Sequence, residues 1–142
     1  IASAQFVREC QQLMPGTQFF ALSSVNHQTL LEFLGPKQAQ GIAVTALTPS
    51  PYNPVTPVAR DYVKHLKQFR DEAVSYTSLD GYISAKALVE GLKQGSKGGG
   101  YQAAFASLKP LELGGYQVNF SAGNSSNFVD VLVFSQHGRL MN

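Results

Sequence analysis

The sequence predicts an α/β protein in which part of the sheet is parallel. Apolar residues recur at helical spacing over residues 1–13 and again over residues 27–34. Two short apolar runs typical of strands, at residues 18–22 and 41–47, each follow one of these helices. Helix, strand, helix and strand at this spacing indicate a right-handed parallel crossover.

The first two helices are predicted from their apolar stripes and their ends. Helical spacing joins four apolar residues of the first helix, which we expect to face the core: Ala2, Phe6, Cys10 and Leu13. The pair Pro15-Gly16 supplies a stop. The second helix has Asn26 as its predicted N-cap and is expected to end at Gly35-Pro36. Its apolar residues are Leu30, Leu31, Phe33 and Leu34.

The second strand runs directly into a segment that cannot be regular structure. The run at residues 41–47 is β-prone and typical of a parallel sheet that is covered on both faces. Pro49, Pro51 and Pro54 then remove backbone donors and favour extended conformations in the residues before them. We therefore expect the chain to pass between two bodies here, because the order of elements changes at this boundary.

Helices dominate the middle of the chain. Pro57 suits the first turn of a helix whose apolar face is Val58, Tyr62, Leu66 and Phe69. Residues 77–80 resemble a capping box that opens a helix over residues 79–93, which is apolar on most sides and should be mostly buried. A glycine-rich break at residues 95–100 precedes a short helix at residues 101–108 with three inward residues, Ala104, Phe105 and Leu108.

The last third of the chain changes to the period of strands. Tyr116, Val118 and Phe120 alternate with polar residues, and a loop at residues 121–127 separates them from an apolar strand over residues 128–134. Residues 136–139 then make a hairpin-like turn before Leu140.

Composition and motifs exclude several classes of function. The formal charge is only +2 without a basic cluster, which argues against nucleic acid as a partner. The single cysteine, Cys10, excludes an internal disulfide framework and is expected to be a small buried residue. No histidine has an acidic or cysteine neighbour at metal-ligand spacing, so we predict neither a metal nor another cofactor. The glycine-rich break lacks the order of a phosphate loop, and no nucleophile or titratable cluster points to an enzyme.

The turn at residues 23–26 is the best candidate for a binding site. It follows the first strand at its predicted carboxyl end and precedes the second helix, which is where open α/β sheets place ligands. Ser23, Ser24 and Asn26 supply hydroxyl and amide groups there. The alternative interpretation is a capped turn with a purely structural role.

Several segments in order resemble the C-terminal part of the type I periplasmic binding proteins, in the branch of the receptors of branched-chain amino-acid ABC transporters. The segments are FVRECQQL, FFALSSVN, GIAVTALTPSPYNP, VARDYVKHL, SYTSLDGYISAKALVEGLK, LGGYQVNFSAGNSSNFVDVLVF and HGRL. The resemblance spans nearly the whole chain. It implies a partial fold made of Rossmann-like α/β/α lobes, with an absent N-terminal half.

The resemblance also implies how the chain divides between two lobes. Residues 1–48 would belong to the second lobe, and residues 49–114 to the first lobe, with a hinge crossing at residues 48–54. Residues 115–142 would cross back to the second lobe. Such a hinge absorbs the torsion change of a two-state closure, and ligand contacts on both sides bias that closure.

For function, the resemblance implies a non-catalytic, exported periplasmic component of an ABC importer that captures a small solute. Ser23, Ser24 and Asn26 would line the cleft, and Tyr52 would be a cleft wall. Amino-acid binders of the family place a carboxylate where this sequence has Ser23, so a neutral or carboxylate-bearing solute is favoured over a free ammonium. A ligand-sensing domain of the same fold in a signalling protein stays open as an alternative.

The implied partners are a small-molecule ligand and, through the full-length protein, a membrane permease. A fragment that lacks central strands would leave sheet edges and apolar faces uncovered. We therefore expect it to pair with a second copy or with the missing N-terminal half.

Overall fold

The computed structural model describes residues 1–69, 72–95, 100–106, 108–120 and 126–141. The chain divides into two compact units: unit 1 comprises Ile1–Ala46 and Val129–Asn142, and unit 2 comprises Leu47–Phe128. The elements in chain order are α1 (Ala2–Leu13), β1 (Phe20–Ala21), α2 (His27–Ala39), β2 (Ala43–Ala46), α3 (Pro57–Phe69), α4 (Tyr76–Gly95), α5 (Tyr101–Ala106), β3 (Leu111–Glu112), β4 (Gln117–Val118), β5 (Asp130–Phe134) and β6 (Leu140–Met141). The mixture of helices and strands confirms the predicted α/β class.

Unit 1 contains a four-stranded sheet with the order β1-β2-β5-β6. β1 and β2 are parallel, as the sequence predicts, whereas β5 pairs antiparallel with both β2 and β6. The predicted hairpin turn is also confirmed, since Ser135 donates its N–H to the carbonyl of Arg139 at 2.8 Å. The strand expected at residues 128–134 is present from Asp130 onward.

The core of unit 1 lies between the sheet and the two helices α1 and α2. Its buried residues are Ala4, Val7, Leu30, Leu34, Ala39, Ile42, Val44 and Phe134. The side chain of Gln11 donates to the carbonyl of Gln38 at 2.8 Å, and that of Arg8 donates to the carbonyl of Phe33. The Arg8 guanidinium also lies 4.1 Å from the centroid of the Phe33 ring. These contacts hold α1 beside α2.

The predicted buried stripe of α1 is wrong. Phe6 and Leu13 are 63% and 80% exposed, and Cys10 is only half-buried. The buried residues are Ala4 and Val7, which lie on a different face. Arg8 and Gln11 lie on the same side of the helix as these buried residues and bind carbonyls of α2.

The second helix is longer than the sequence predicts. Gly35 adopts a φ of 74°, which kinks the helix, as expected for a residue without a Cβ. Helical hydrogen bonding then resumes, since the Gln40 N–H donates to the carbonyl of Pro36 at 3.0 Å. Pro36 therefore opens the last turn of α2, where its missing N–H costs nothing, rather than ending the helix.

Unit 2 contains α3, α4, α5 and the ribbon formed by β3 and β4. Its buried core residues are Val58, Ala59, Tyr62, Leu79, Ile83, Ala87, Leu113, Tyr116 and Val118. The carbonyl of Gly114 accepts the N–H of Val58 at 3.0 Å, which joins the ribbon to the start of α3. A Cβ at Gly114 would lie 3.0 Å from that nitrogen, and its φ is 74°, so this close approach requires glycine.

The proline segment opens unit 2 and is well packed at its beginning. Thr48 is 3% exposed, and Pro51 is among the fully buried residues. The carbonyl of Leu47 accepts the hydroxyl of Tyr116 at 3.0 Å. Packing and this hydrogen bond together fix a segment that has few backbone donors of its own.

Three predictions for the helices of unit 2 are corrected. Phe69 is 72% exposed, because α3 ends at this residue. Leu66 is the last residue of the predicted apolar face that packs against the core, and it is partly buried. Helix α4 begins at Tyr76, and the hydroxyl of Ser75, not Thr77, accepts the N–H of Ser78 at 3.1 Å. Leu88, Val89 and Leu92 are 50%, 48% and 40% exposed, so one face of α4 is open where we expected burial.

The smaller elements of unit 2 agree with the sequence in part. Tyr116 and Val118 are buried as predicted, whereas Phe120 is 38% exposed. Strand β3 was not anticipated, although Leu111 and Leu113 alternate around Glu112. Leu108 is buried and Phe105 is half-buried. The side chain of Ala104, predicted to face inward, and residues 96–99 of the glycine-rich break are not described.

Candidate functional site

The turn at residues 23–26 lies at the carboxyl ends of two parallel strands. It leaves β1 and closes on itself through the N–H of Val25, which donates to the carbonyl of Leu22 at 2.9 Å. The N–H of Ser23 donates to the Thr45 Oγ1 of β2 at 2.9 Å. This second bond fixes the turn against the neighbouring strand, so the turn lies where α/β sheets bind ligands.

Asn26 has a structural role in this turn. Its side-chain oxygen accepts the N–H of Gln28 at 3.0 Å and that of Thr29 at 3.1 Å, which confirms the predicted N-cap of α2. Two of the donors that a helix start offers to an anion are therefore already bonded. Asn26 can contact a ligand only through its side-chain nitrogen or its backbone.

The polar groups that the turn presents to solvent are uncharged. Ser23 and Ser24 are both exposed. In the described part of the chain, neither hydroxyl forms a hydrogen bond with another residue. The neighbouring His27 is partly buried, and this burial lowers the pKa of its imidazole below 6.5, which favours the neutral form. The turn is thus a set of hydroxyl and amide groups without a fixed counter-charge.

Thr45 is the residue of this site that sequence reasoning missed. It lies within the run at residues 41–47, which the sequence analysis identifies only as β-prone. Its hydroxyl accepts the Ser23 N–H and so determines the direction of the turn. The available signal was a hydroxyl-bearing residue in an otherwise apolar strand, because such a residue needs a hydrogen-bond partner when it is partly buried.

Tyr52 belongs to unit 2, whereas the three turn residues belong to unit 1. Its side chain is 47% exposed, and its ring meets the ring of Tyr76 edge-on, with 5.7 Å between centroids and 62° between planes. The buried Pro51 precedes it. Tyr52 therefore presents a partly exposed aromatic face from a backbone that is held in place.

A concave feature lies wholly within unit 2. It is a cavity of about 210 Å³ with mostly apolar walls, lined by Asp80, Ile83, Ser84, Ala87, Leu88, Phe105, Tyr116, Val118 and Phe120. Phe105 lies against Gly91, where a Cβ would be 2.2 Å from the ring. The hydroxyl of Tyr116 is already bonded to Leu47, so Asp80 and Ser84 supply the polar groups of the wall.

Neither metal-binding nor membrane-spanning features occur among the described residues. No group of three His, Cys, Asp or Glu side chains stands close enough to hold a metal ion there. In the same residues, no helix combines the length and the apolar character needed to cross a membrane.

The comparison with solved structures identifies the fold. The chain matches an extracellular ligand-binding receptor from Verminephrobacter eiseniae with a TM-score of 0.86 and 23% sequence identity, over 99% of this chain. A substrate-binding periplasmic protein from Ralstonia solanacearum matches with a TM-score of 0.84 and 23% identity, over 98% of this chain. A possible leucine/isoleucine/valine-binding protein from Rhodopirellula baltica matches with a TM-score of 0.82 and 23% identity, over 99% of this chain.

The chain spans about two fifths of each of these solved chains, at 41%, 42% and 40% of their lengths. No protein-family model and no curated protein matches the sequence. The predicted resemblance is thus confirmed at the level of the fold, because the structure contains part of the type I periplasmic-binding-protein fold.

Proposed function

We propose that this chain is part of a non-catalytic receptor that captures a small solute for an ABC importer in the periplasm. The observation that carries the proposal is the turn at residues 23–26. It stands at the carboxyl ends of the parallel strands β1 and β2, in a fold shared with extracellular and periplasmic binding proteins. In such sheets, this edge is where ligands bind.

The proposed ligand is a small neutral or carboxylate-bearing solute, such as an organic acid or amide related to an amino acid. The exposed hydroxyls of Ser23 and Ser24 can donate to a carboxylate or to an amide oxygen. No carboxylate stands in the turn to offset a buried ammonium, and an uncompensated charge is costly to bury. The leucine/isoleucine/valine-binding neighbour supports a ligand of about the size of an amino acid.

In the proposed receptor, two lobes close on the solute. Residues 1–48 form part of the second lobe, residues 49–114 form part of the first, and residues 115–142 return to the second. A hinge at residues 48–54 and an aromatic wall at Tyr52 complete the arrangement. The division of the chain into two compact units supports two bodies, and the three prolines support a defined crossing.

Three probes with the same carbon skeleton test the ligand class: 4-methylpentanoate, 4-methylpentanamide and leucine. We expect the acid and the amide to shift the ¹H–¹⁵N NMR signals of residues 23–26 at lower concentration than leucine does. A screen in which leucine is the tightest of the three, or in which none of the probes moves these signals, contradicts the proposal.

Ser23→Asp tests the turn itself. A carboxylate at this position should repel the acid and weaken its binding by ~10-fold or more, equal to about 1.4 kcal/mol, while the amide is affected less. Ser3→Asp is the matched control, because it adds the same charge at an exposed position of α1 in the same unit. Equal affinity of the two variants for 4-methylpentanoate removes Ser23 from the site.

A further inference from the structure

The cavity of unit 2 has an apolar part that contains three aromatic rings. Apart from Asp80 and Ser84, every residue that lines it is apolar or aromatic. The rings of Phe105 and Phe120 meet edge-on in its wall, with 5.7 Å between centroids and 86° between planes. Edge-to-face contact is an arrangement that aromatic rings prefer. The wall therefore suits a further aromatic ring, which can pack against either of these two.

Asp80 and Ser84 form the polar part of the cavity. They are four residues apart on α4, so their side chains lie on the same face of this helix. In the described part of the chain, neither the Asp80 carboxylate nor the Ser84 hydroxyl has a hydrogen-bond or ion-pair partner. The hydroxyl of Tyr116, by contrast, is bonded to the carbonyl of Leu47. A ligand in the cavity therefore meets one negative charge and one hydroxyl that is available for a hydrogen bond.

The charge of Asp80 is not neutralised from within the cavity, since none of the described residues that line it is basic. Lys86, the next basic residue of α4, interacts with other groups. Its ammonium nitrogen lies 3.7 Å from the Asp61 carboxylate and 5.4 Å from the centroid of the Tyr82 ring. The negative charge of Asp80 attracts an ammonium ion and repels a carboxylate, and aromatic faces also attract cations. The cavity therefore favours a cationic ligand over an anionic one.

The volume of the cavity limits the size of this ligand. It is about 210 Å³. An apolar cavity of about 150 Å³ is large enough to bind benzene, and a water-sized group occupies about 30 Å³. The space that remains beside one benzene ring therefore holds a chain of about two such groups.

We propose that this cavity binds a small arylalkyl ammonium ion, with its ring against Phe105 and Phe120 and its ammonium group at Asp80 and Ser84. This site is additional to the turn at residues 23–26 and belongs to the other unit. It prefers the opposite charge, because the turn is proposed to take a neutral or carboxylate-bearing solute. The inference does not depend on the proposed function.

Three probes with one phenylethyl skeleton test the ligand class: 2-phenylethylamine, 2-phenylethanol and 3-phenylpropanoate. The amine is protonated at pH 7, as a lysine side chain is. Methyl NMR of isoleucine measures where each probe binds. Ile83 lines the cavity and is 3% exposed, whereas Ile42 is buried in the core of unit 1 and is the internal control.

We expect the amine to shift the Ile83 methyl signal and to leave the Ile42 signal in place. It should bind at least ~10-fold more tightly than 3-phenylpropanoate and more tightly than 2-phenylethanol, because only the amine offers a positive charge to Asp80. Equal or tighter binding of either other probe overturns the proposal. So does an Ile83 signal that no probe moves, as when another polypeptide segment fills the cavity, or an Ile42 signal that moves with it.

Asp80→Asn tests the charge at nearly constant shape. It should weaken binding of 2-phenylethylamine by about 3- to 5-fold, as the loss of one exposed ion pair predicts, and leave 2-phenylethanol unchanged. Glu90→Gln is the matched control, because it removes the same charge about 15 Å further along α4. If the amine binds Asp80→Asn as tightly as it binds Glu90→Gln, Asp80 does not hold the ammonium group and the proposal fails.

Ser84→Leu tests the location. A leucine side chain here occupies part of the cavity, so the affinity for 2-phenylethylamine should fall by ~10-fold or more. Ala85→Leu adds the same side chain at the next position, which is also exposed but does not line the cavity. Leucine favours a helix, so both variants should fold, and an unchanged Ile42 signal verifies this. Undiminished binding of the amine to Ser84→Leu overturns the proposal.

Discussion

The two units of the molecule differ in how many segments of the chain form them. Unit 2 is contiguous in sequence, from Leu47 to Phe128. Unit 1 combines the beginning of the chain with its end, since β2 pairs with β5 and Ala43 faces Val133. The core of unit 2 is enclosed between two helices and a ribbon. In the described part of the chain, the sheet of unit 1 has a helical layer on one face only.

This contrast predicts that the two units respond separately to changes in their cores. Contacts between distant segments carry a larger loop-closure cost than local ones, so unit 1 should depend more strongly on each buried side chain. The sequence provides a separate probe for each unit. All six tyrosines lie in unit 2 and there is no tryptophan, so tyrosine emission reports on unit 2, while the single cysteine, Cys10, reports on unit 1.

Phe134→Ala should produce the largest effect. Phe134 is 2% exposed in the core of unit 1, and truncation of a buried phenylalanine costs about 3–5 kcal/mol through lost burial and the cavity left behind. We expect the thiol of Cys10 to become reactive at a lower urea concentration, while the midpoint of tyrosine emission stays in place. Val133→Ala is the control, since its side chain lies on the face of the sheet opposite Phe134 and is 40% exposed.

In Phe134→Ala, the urea midpoint of tyrosine emission could fall together with the urea midpoint of Cys10 reactivity. That result would contradict the expected difference between the two units. The two units would then unfold as one cooperative body, and separate cores would have no separate stability.

Leu79→Ala is the reciprocal experiment in unit 2. Leu79 is fully buried between α3 and the ribbon, so its truncation should cost about 2–5 kcal/mol. The midpoint of tyrosine emission should fall, and the reactivity of Cys10 should change little. Leu88→Ala, on the open face of the same helix, is 50% exposed and should cost much less. Equal losses from Leu79→Ala and Leu88→Ala would mean that this core is not closed around Leu79.

Asn26→Ala should cost unit 1 about 1 kcal/mol, because the N–H groups of Gln28 and Thr29 lose their acceptor. Asn26→Asp is the matched variant, since a carboxylate accepts the same two bonds and also suits the positive end of the helix. The urea dependence of Cys10 reactivity measures both. If Asn26→Asp is as unstable as Asn26→Ala, the cap is not what holds the start of α2.

The sequence predicted those parts of the fold in which one local signal had no competitor. Asn26 was identified as a cap because its short polar side chain directly precedes an apolar helix. Pro57 at the start of α3 and the hairpin at residues 136–139 were identified for similar reasons. The parallel pairing of β1 and β2 followed from the length of the connection between them.

The prediction for α1 failed because the helix offers two apolar faces. Periodicity selected the face with the larger residues, Phe6 and Leu13, whereas the structure buries Ala4 and Val7. In the observed orientation, Arg8 and Gln11 also bond carbonyls of α2. Contacts between residues distant in sequence are not visible in local periodicity.

The candidate site shows the same limit. The sequence placed Ser23, Ser24 and Asn26 in one turn, because they are adjacent along the chain. It did not identify Thr45, whose hydroxyl holds that turn, because the partner lies on a neighbouring strand. A role that depends on the pairing of two strands becomes visible only when the register is known.

The smallest predicted effect concerns His27 in unit 1. Burial lowers the pKa of its imidazole below 6.5, so the folded unit keeps it neutral while the unfolded chain begins to bind a proton near pH 6.5. The unfolded state then binds more protons, and the stability of unit 1 falls as the pH is lowered through 6.5 toward the lower folded pKa. The stabilisation is fully present above pH 6.5. The urea midpoint of Cys10 reactivity measures this pH dependence. His27→Gln should remove the part that His27 contributes, because a glutamine does not titrate. An equal loss of stability below pH 6.5 in the variant and in the parent chain would assign the dependence to other groups.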